Sequence, residues 1–534
     1  MPTSYCASTA ACGKRWKQGN DPPLTAYLHR TDQLCAPVNA QRLLPSLVAI
    51  ALLTSCRKDE LFTDDSGATL GFSQSEVLFD TIFTQLAFSV TKSFRVYNNN
   101  DGAVRVDIVL EGGAPSPFRI NVDGVSGTNF DDVEILAGDS IYVFVEATLD
   151  QTGQNTPLIH EDHVVFYTNG NEQKVKLIAW GQDAHYFYPD VFPNGLPAYS
   201  IIAGGTGPGG ECIAELVNWP DDKPYVIYGY AVVDSCATLT IDPGVDVYVH
   251  GGGGLWIYRW GRIEAVGTPD QPITFQSDRL EALYDNLPGQ WERIWINDGP
   301  QGQDNVFTNV HIKNALVGIQ CEMWPGLPDE PTSEARLMLD NVSIRNCSVA
   351  GILSRNYRID ASDLLVGDCG QFSLALTGGG AYKFRYLTVA NYWNYGVRND
   401  PAFIMTNTYQ NLLTGTTQVR DIDTSSFENC IIHGSNENEF LLEFDGLATP
   451  GLTFKRTMVR TDESTSGDFF PEQGTIYRNQ DPGFVNIGAR DFHLTDDGNA
   501  WDKGTAPQFT AGLDDLDGEG RFGTIALGCY QFLP

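Results

Sequence analysis

Polar and apolar residues alternate in a short unit that occurs twice in the middle of the chain. Asn309–Asn314 reads Asn-Val-His-Ile-Lys-Asn, and Asn341–Asn346, 32 residues later, reads Asn-Val-Ser-Ile-Arg-Asn. A period of two is typical of a β-strand with one buried face. A unit this short cannot bury its apolar face alone, so its recurrence predicts stacked coils that share one core.

Further copies of the unit follow at intervals close to 22 residues or a multiple of it. They begin at Asp363, Tyr386, Asn429 and Arg456. We therefore expect a coil of about 22 residues, with three short strands and three turns. Asn and Asp at the unit ends predict polar side chains that stack at the turns and bond along the axis. An insertion around Trp324–Pro328 explains the longer first interval and is predicted to be an external loop.

A passage upstream of the near-copies has the spacing of a known solenoid. Leu239–Val249 matches L-x-I-x-P-G-V, Gly251–Tyr258 is a strand introduced by glycines, Gly261–Thr268 ends in A-x-G-T, and Pro272–Phe275 reads P-I-x-F. In this order the pieces resemble right-handed parallel β-helix (pectin-lyase-like) repeats. The resemblance implies an all-β fold whose main domain is such a helix.

The last part of the chain carries a second set of motifs. Asp481–Phe484 reads D-P-x-F, Asp502–Thr505 reads D-x-G-T, Asp515–Arg521 reads D-x-D-G-x-x-R, and Gly528–Gln531 reads G-x-Y-[EQ]. This resembles the closing segment of bacterial surface β-helix proteins. We expect it to be a C-terminal cap that covers the exposed edge of the last coil.

Short alternating strands also occupy the region from Val77 to Asp183, separated by turn signals such as Asp123-Gly124 and Gly138-Asp139. Their number and spacing favour a β-sandwich. The region resembles the small immunoglobulin-like domains that precede solenoids in bacterial surface proteins.

The beginning of the chain carries a targeting signal. About a dozen apolar residues follow Arg42, too few to span a bilayer but enough for a signal-peptide core. They end in Leu53-Thr54-Ser55-Cys56, which resembles the bacterial lipobox and implies lipidation of Cys56. Lys58-Asp59-Glu60 resembles the export signal of surface lipoproteins in the Bacteroidetes. The resemblance implies anchoring to the bacterial outer membrane, with the protein exposed at the cell surface.

These signals predict six segments in chain order. They are 1–55, a signal peptide with an upstream extension from a start site called too early; 56–75, the lipidated Cys and a tether; 76–185, an immunoglobulin-like β-sandwich; 186–222, a linker and cap entry; 223–480, the right-handed parallel β-helix; and 481–534, the C-terminal cap.

Composition narrows the classes of function. The formal net charge is −33, and a surface this acidic repels phosphate backbones, so we expect no nucleic-acid partner. The acidity favours solubility, with bound Ca²⁺ as the alternative reading; we expect no other cofactor. The 11 cysteines form no CxxC pattern, which argues against structural zinc. Cys347 and Cys369 are expected on neighbouring coils as buried small side chains, with a disulfide as the alternative.

Aromatic residues mark the first candidate site. If Leu255 and Ile257 are buried, the strand pattern turns four rings outward: Trp256, Tyr258, Trp260 and, on a later coil, Trp295. An outward aromatic stripe can stack against the apolar faces of sugar rings. The alternative is that a loop such as Leu280–Gln290, or the N-terminal domain, covers them.

Basic residues mark the second candidate site. If Val310 and Ile312 point inward, His311 and Lys313 point outward, and Lys313 stacks on Arg345 about 5 Å away. This spot can bind a uronate carboxylate or supply the base of a lyase. Alternatively, each cation pairs with an outward acid such as Glu322 or Asp360.

The sequence leaves two functions open. The first is a non-catalytic, lipid-anchored envelope protein whose β-helix binds glycan or another surface component. The second is a polysaccharide lyase or glycoside hydrolase that acts on an acidic polysaccharide. The polygalacturonase residue set is absent, and Trp295–Asp298 lacks the His of a pectate-lyase motif that it partly matches. Fold alone does not decide between binding and catalysis.

Overall fold

The fold is described from a computed structural model. It describes residues 61–84, 91–150, 158–323, 331–411, 415–446, 450–472, 474–506 and 514–532. The predicted signal peptide, Cys56 and the Trp324–Pro328 insertion lie outside these ranges, so these predictions stay untested. The described chain is nearly all β, and its helical element is a single 3-10 turn, Ile487–Ala489. None of its helices has the length and apolarity to cross a bilayer.

Two five-stranded sheets form the first folded region, and they share one hydrophobic core. Their strands alternate buried and exposed residues, as in Val104–Leu110, because each sheet buries one face. In spatial order the first sheet contains Gly71–Phe72, Lys92–Tyr97, Ser140–Ala147, Phe118–Val122 and Val125–Gly127. The second contains Glu76–Phe83, Asn171–Gln182, Leu158–Thr168, Val104–Leu110 and Asn129–Ile135. Neighbouring strands are antiparallel, except that Glu76–Phe83 runs parallel to Asn171–Gln182.

The rest of the described chain forms two long parallel sheets. The main path of the sixteen-stranded sheet contains His185–Phe187, Tyr225–Ile227, Asp246–Val249, Ile273–Ser277, Asn305–Lys313, Arg336–Arg345, Arg358–Gly367, Ala381–Asn391, Ile431–Gly434, Thr457–Val459 and Ile476–Arg478. Its side branches are Glu215–Trp219, Ala237–Ile241, Arg262–Val266, Ile422–Glu428 and Pro450–Lys455. The nine-stranded sheet contains Tyr199–Ala203, Tyr230–Val233, Gly254–Ile257, Trp291–Ile296, Ala315–Glu322, Ala350–Arg355, Phe372–Thr377, Phe403–Thr406 and Phe440–Glu443. Two short hairpins are Thr408–Gln410 with Thr417–Val419 and Phe484–Asn486 with Asp491–Leu494.

Successive coils pair in parallel in both long sheets, an arrangement consistent with a β-helix. Coil formation begins earlier than the sequence predicts. Within the segment 186–222, predicted as a linker and cap entry, strands Tyr199–Ala203 and Glu215–Trp219 pair with strands of the following coil. A disulfide between Cys212 and Cys236, whose Cα atoms are 5.9 Å apart, also joins these two coils.

The near-copies stack in register. Val310 pairs with Val342, His311 with Ser343, and Lys313 with Arg345. The later copies continue the Val310 column through Leu364 and Leu387, and the neighbouring His311 column through Leu365, Thr388, Ile431 and Met458. The prediction that copies of one unit stack on successive parallel strands is therefore confirmed. The interval from Tyr386 to Asn429, predicted to contain about two coils, is a single step of the stack.

Each copy begins with a backbone in the left-handed region. The residues concerned have φ between 46° and 57°: Asn309, Asn341, Asp363, Tyr386, Asn429 and Arg456. Asn and Asp tolerate this conformation better than most residues, which explains why they recur there. Their side chains also bond between coils, as Asn341 Nδ2 donates to Asn309 Oδ1 at 3.5 Å. The asparagines at the ends of the two near-copies form a shorter hydrogen bond, in which Asn346 Nδ2 donates to Asn314 Oδ1 at 2.7 Å.

Aliphatic and aromatic side chains fill the space between the long sheets. Cys347 and Cys369 are buried thiols in this core and are not joined in a disulfide, which confirms the prediction of small buried side chains. At the far end of the core, the buried Phe470 ring stacks on Phe454 with ring centroids 5.6 Å apart. Phe470 precedes the predicted cap.

The closing segment is described for residues 481–506 and 514–532, and these residues pack along the outer side of the sixteen-stranded sheet. Its apolar residues cover outward-facing Leu365, Ala390, Ile431 and Met458, which belong to different coils. The backbone N–H of Cys529 donates to Thr388 Oγ1 at 2.9 Å. This lateral position differs from the predicted one over the edge of the last coil.

Candidate functional site

Two of the four predicted glycan-binding rings are buried. Trp256 and Trp295 are only 4% and 9% exposed, and their rings stack with centroids 4.5 Å apart and planes 12° apart. They occupy the same column of the nine-stranded sheet, where parallel strands about 4.8 Å apart bring outward rings face to face. The sequence predicts that all four rings are exposed, and this prediction is wrong for Trp256 and Trp295.

Polar contacts hold these two indoles in place. Trp256 Nε1 donates to Asn297 Oδ1 at 2.8 Å, and Trp295 Nε1 donates to Glu322 Oε1 at 2.8 Å. Glu322 also pairs with Arg355 Nη1 at 2.8 Å. The rings around Trp256 belong to Tyr199, Tyr230 and Tyr258, from its own and neighbouring coils. Both indoles thus contribute to stability, and a sugar cannot stack on them without displacing neighbours.

Trp260 is the exposed member of the set. Its side chain is 50% exposed, and its backbone adopts φ 65°, which is unusual for a bulky residue. Two backbone bonds fix this corner: Trp260 N–H donates to the Asp298 carbonyl at 2.8 Å, and the Cys236 N–H donates to the Trp260 carbonyl at 3.1 Å. Arg259 lies 5.7 Å from the indole centroid and pairs with Asp298 at 3.0 Å. Tyr258, two residues earlier, is half-buried.

Lys313 and Arg345 lie beside each other as predicted, but the ion partner of Lys313 differs from the acids expected. Lys313 and Arg345 are directly paired residues on neighbouring strands. Lys313 Nζ pairs with Asp285 Oδ1 at 2.8 Å, an acid from the 280–290 loop. The acids suggested as partners are taken by other cations, because Glu322 pairs with Arg355 and Asp360 with Arg385.

His311 lies beside these cations. Burial lowers the pKa of its imidazole, and the nearby charges of Arg345 and Lys313 lower it further. Its Nδ1 atom is buried without a hydrogen-bond partner in the described part of the chain. Across the same ranges, no carboxylate lies within ion-pair distance of Arg345. The spot belongs to the sixteen-stranded sheet and the aromatic residues precede it on earlier coils, so the two predicted sites are separate.

A pocket that the sequence did not reveal lies further along the sixteen-stranded sheet. Its volume is about 540 Å³, and its lining includes Tyr392, His433, Arg460 and Asn479, each at or just after the end of a strand. Ile432 pairs with Val459, and Val459 with Arg478, so His433, Arg460 and Asn479 follow on three successive coils. Asp481 and Ile487 of the closing segment complete the wall. We call this the His433 pocket.

The floor of the His433 pocket is a neutral imidazole. His433 Nδ1 and the Tyr392 hydroxyl share a hydrogen bond of 2.8 Å. Burial, with a smaller contribution from Arg460, lowers the pKa of His433 to about 4, and burial raises the pKa of Tyr392. Both groups are therefore uncharged at neutral pH and can exchange hydrogen bonds with a ligand. The sequence signal is slight: His433 is the fifth residue of the repeated unit Asn429–Gly434.

Acidification is expected to destabilise the protein through His433. An unfolded histidine takes up a proton near pH 6.5, whereas folded His433 does so near pH 4. The contribution of His433 to the free energy of unfolding is therefore fully present above pH 6.5. It is lost as the pH falls toward 4, and the loss amounts to about 3 kcal/mol. Urea titrations at several pH values should show a shallower dependence for His433→Gln. An unchanged dependence in that variant would contradict the assignment.

A metal site needs several side chains that can bind the ion together. Within those ranges no group of three or more His, Cys, Asp or Glu side chains is placed to hold a metal ion. Ca²⁺ binding thus stays an untested prediction.

Comparisons with known proteins do not assign a family. No family model matches the sequence, and no curated protein matches it. A solved structure that matches is an alkylpurine DNA glycosylase of Pseudomonas fluorescens bound to DNA containing an abasic site analog. It is 16% identical over 27% of this chain and 38% of the glycosylase, with a TM-score of 0.13. A superposition this poor carries no argument about fold or function.

Proposed function

We propose that the protein is a lipid-anchored component of the bacterial outer membrane, exposed at the surface, which binds glycan through Trp260 and Tyr258. The observation that carries the proposal is the half-exposed Trp260 indole on a left-handed backbone. A strained residue persists only where its surroundings hold it, and such residues cluster at binding sites. The ring face can stack on a sugar, while the Arg259–Asp298 pair beside it offers polar contacts.

The finer architecture belongs to the same proposal. We take the parallel-sheet region as a right-handed β-helix and the two five-stranded sheets as an immunoglobulin-like spacer. Cys56, preceded by Leu53-Thr54-Ser55, carries the lipid in this scheme. The spacer then holds the coils away from the membrane, where a polysaccharide or another envelope protein can reach them.

The Trp260→Ala variant tests the binding proposal. Affinity gels containing pectin, xylan or alginate should retard the wild type in at least one polymer, and the variant should bind about tenfold more weakly because a stacking face is lost. Phe522→Ala is a matched control, since Phe522 is an exposed aromatic residue on the closing segment. Equal retardation of wild type and Trp260→Ala would contradict the proposal.

The alternative is a polysaccharide lyase at the basic spot. What favours it is the arrangement of His311 beside Arg345: burial and neighbouring cations favour a neutral imidazole, and the guanidinium is available for a uronate carboxylate. In this scheme His311 removes the proton from the carbon next to the carboxylate. The glycosidic bond on the neighbouring carbon breaks as the double bond forms, and the leaving sugar oxygen takes a proton from water. Incubation with acidic polysaccharides should then produce ultraviolet absorbance from unsaturated uronates, and His311→Gln should abolish it. A glycoside hydrolase would instead release reducing ends without that absorbance.

A further inference from the structure

We infer that the His433 pocket is a second binding site, separate from Trp260, and that its ligand is an uncharged saccharide. The pocket lies several coils further along the chain than Trp260, so occupation of one site does not require the other.

The pocket contains a side chain that the fold holds in one orientation. His433 is 9% exposed, and its imidazole is oriented by the hydrogen bond between Nδ1 and the Tyr392 hydroxyl. Among the described residues no group bonds to its other ring nitrogen, Nε2, and His433 lines the cavity. A fixed, neutral imidazole therefore presents one hydrogen-bonding atom to a ligand.

Charge selects the class of ligand. The lining contains Arg460 and three carboxylates, those of Glu437, Asp462 and Asp481. Arg460 Nη1 donates to the Gly434 carbonyl at 2.8 Å, which fixes the guanidinium beside the pocket. Three carboxylates against one cation repel a uronate, while carboxylates accept hydrogen bonds from sugar hydroxyls.

The dimensions also suit a saccharide. A volume of about 540 Å³ falls within the range of small-molecule sites. The floor extends over three coils, or roughly 10 Å at the spacing of parallel strands. Tyr392 and Ile487 add apolar surface beside the polar groups, as sugar-binding sites require.

Calorimetric titration tests the inference with the full chain and oligosaccharides of equal length: neutral glucan, mannan and xylan oligomers, and an oligogalacturonate. At least one neutral oligomer should bind more tightly than the oligogalacturonate. The double variant Glu437→Gln, Asp462→Asn should weaken that binding about tenfold or more, because charged acceptors become neutral amides. Both side chains are exposed, so the fold should be preserved.

Two controls keep this result distinct from the Trp260 proposal. Asp468→Asn removes an exposed carboxylate outside the pocket and should bind like wild type. Trp260→Ala should also leave binding to the pocket unchanged, even where it abolishes retardation in affinity gels. These outcomes are judged in the Trp260→Ala chain, where binding at Trp260 cannot contribute. There, tighter binding of the oligogalacturonate, no saturable binding of any neutral oligomer, or no loss of affinity on adding Glu437→Gln and Asp462→Asn would overturn the inference.

Discussion

The Glu439→Ala variant is expected to have a free energy of unfolding about 3–5 kcal/mol below that of the wild type. Glu439 and Arg398 form a fully buried ion pair. Arg398 Nη1 donates to Glu439 Oε2 at 2.7 Å, and Nη2 donates to Oε1. Removing the carboxylate leaves a buried guanidinium without its counter-charge, which is far more costly than losing a surface pair.

Glu439 also ties two segments of backbone together. Its carboxylate accepts bonds from the N–H of Ala402 at 2.9 Å and of Asn436 at 2.7 Å. Arg398 in turn donates to the carbonyls of Asn391 and Asp400. Loss of the Glu439 carboxylate should therefore cause faster hydrogen exchange between residues 398 and 440 and lower the urea midpoint of unfolding.

A matched control for this prediction lies two residues away. Glu437 is exposed, so Glu437→Ala should change stability by no more than about 0.5 kcal/mol. The double variant Arg398→Met, Glu439→Leu should recover part of the loss, because neither charge is then buried alone. A loss below about 1 kcal/mol in Glu439→Ala would contradict the role assigned to the pair.

The stacking of the coils was predictable because its determinants are local. A period of two divides inward Val310 and Ile312 from outward His311 and Lys313, and Asn309 can adopt the left-handed bend. Each copy repeats this alternation and this bend, so the register between neighbouring strands follows from aligning the copies. The position of Cys347 and Cys369 on neighbouring coils follows for the same reason.

Contacts between sequence-distant segments were not predictable. Outward Trp256 and Trp295 are buried because their own column and the adjacent tyrosines enclose them, which the period-two pattern does not reveal. Lys313 forms its ion pair with Asp285, which lies in a loop, and not with an acid on a neighbouring strand. The His433 pocket needs Asp481 and the closing segment, so no single motif contains it.

The motifs near the C-terminus explain how the closing segment docks. Arg521 of the D-x-D-G-x-x-R motif donates through Nη2 to Asp363 Oδ1 at 2.5 Å, and its guanidinium lies 3.9 Å from the Tyr386 ring centroid. Thr505 of the D-x-G-T motif bonds to Asn429 and accepts a bond from the Tyr386 hydroxyl at 2.6 Å. Asp363, Tyr386 and Asn429 each begin a repeated unit, so the segment docks on the column of left-handed residues.

Arg521→Ala is accordingly expected to release the closing segment, at a cost of about 3–5 kcal/mol to its docking above pH 7, where Asp363 is ionised. Arg521 and Asp363 are buried to 0% and 1% exposure, and the variant leaves the Asp363 carboxylate without its cation. Limited proteolysis and hydrogen exchange should show cleavage and fast exchange within residues 481–532, while the strands of the two five-stranded sheets keep wild-type protection. Arg478→Ala, at an exposed arginine, should leave both measurements unchanged.

The pH dependence separates the charge of Asp363 from simple loss of packing. Burial raises the pKa of Asp363 to about 7, and the positive charge of Arg521 opposes that rise. A carboxyl with a raised folded pKa contributes stability that is present below its unfolded pKa and is lost as the pH rises through the folded value. Without Arg521 the folded pKa rises further, so the difference between variant and wild type should widen from pH 5 to pH 8. Asp363→Asn in the Arg521→Ala background should remove that widening, because no carboxylate remains to ionise. A difference that stays constant over this range would mean that Arg521 acts through its contact with Tyr386 rather than through its charge.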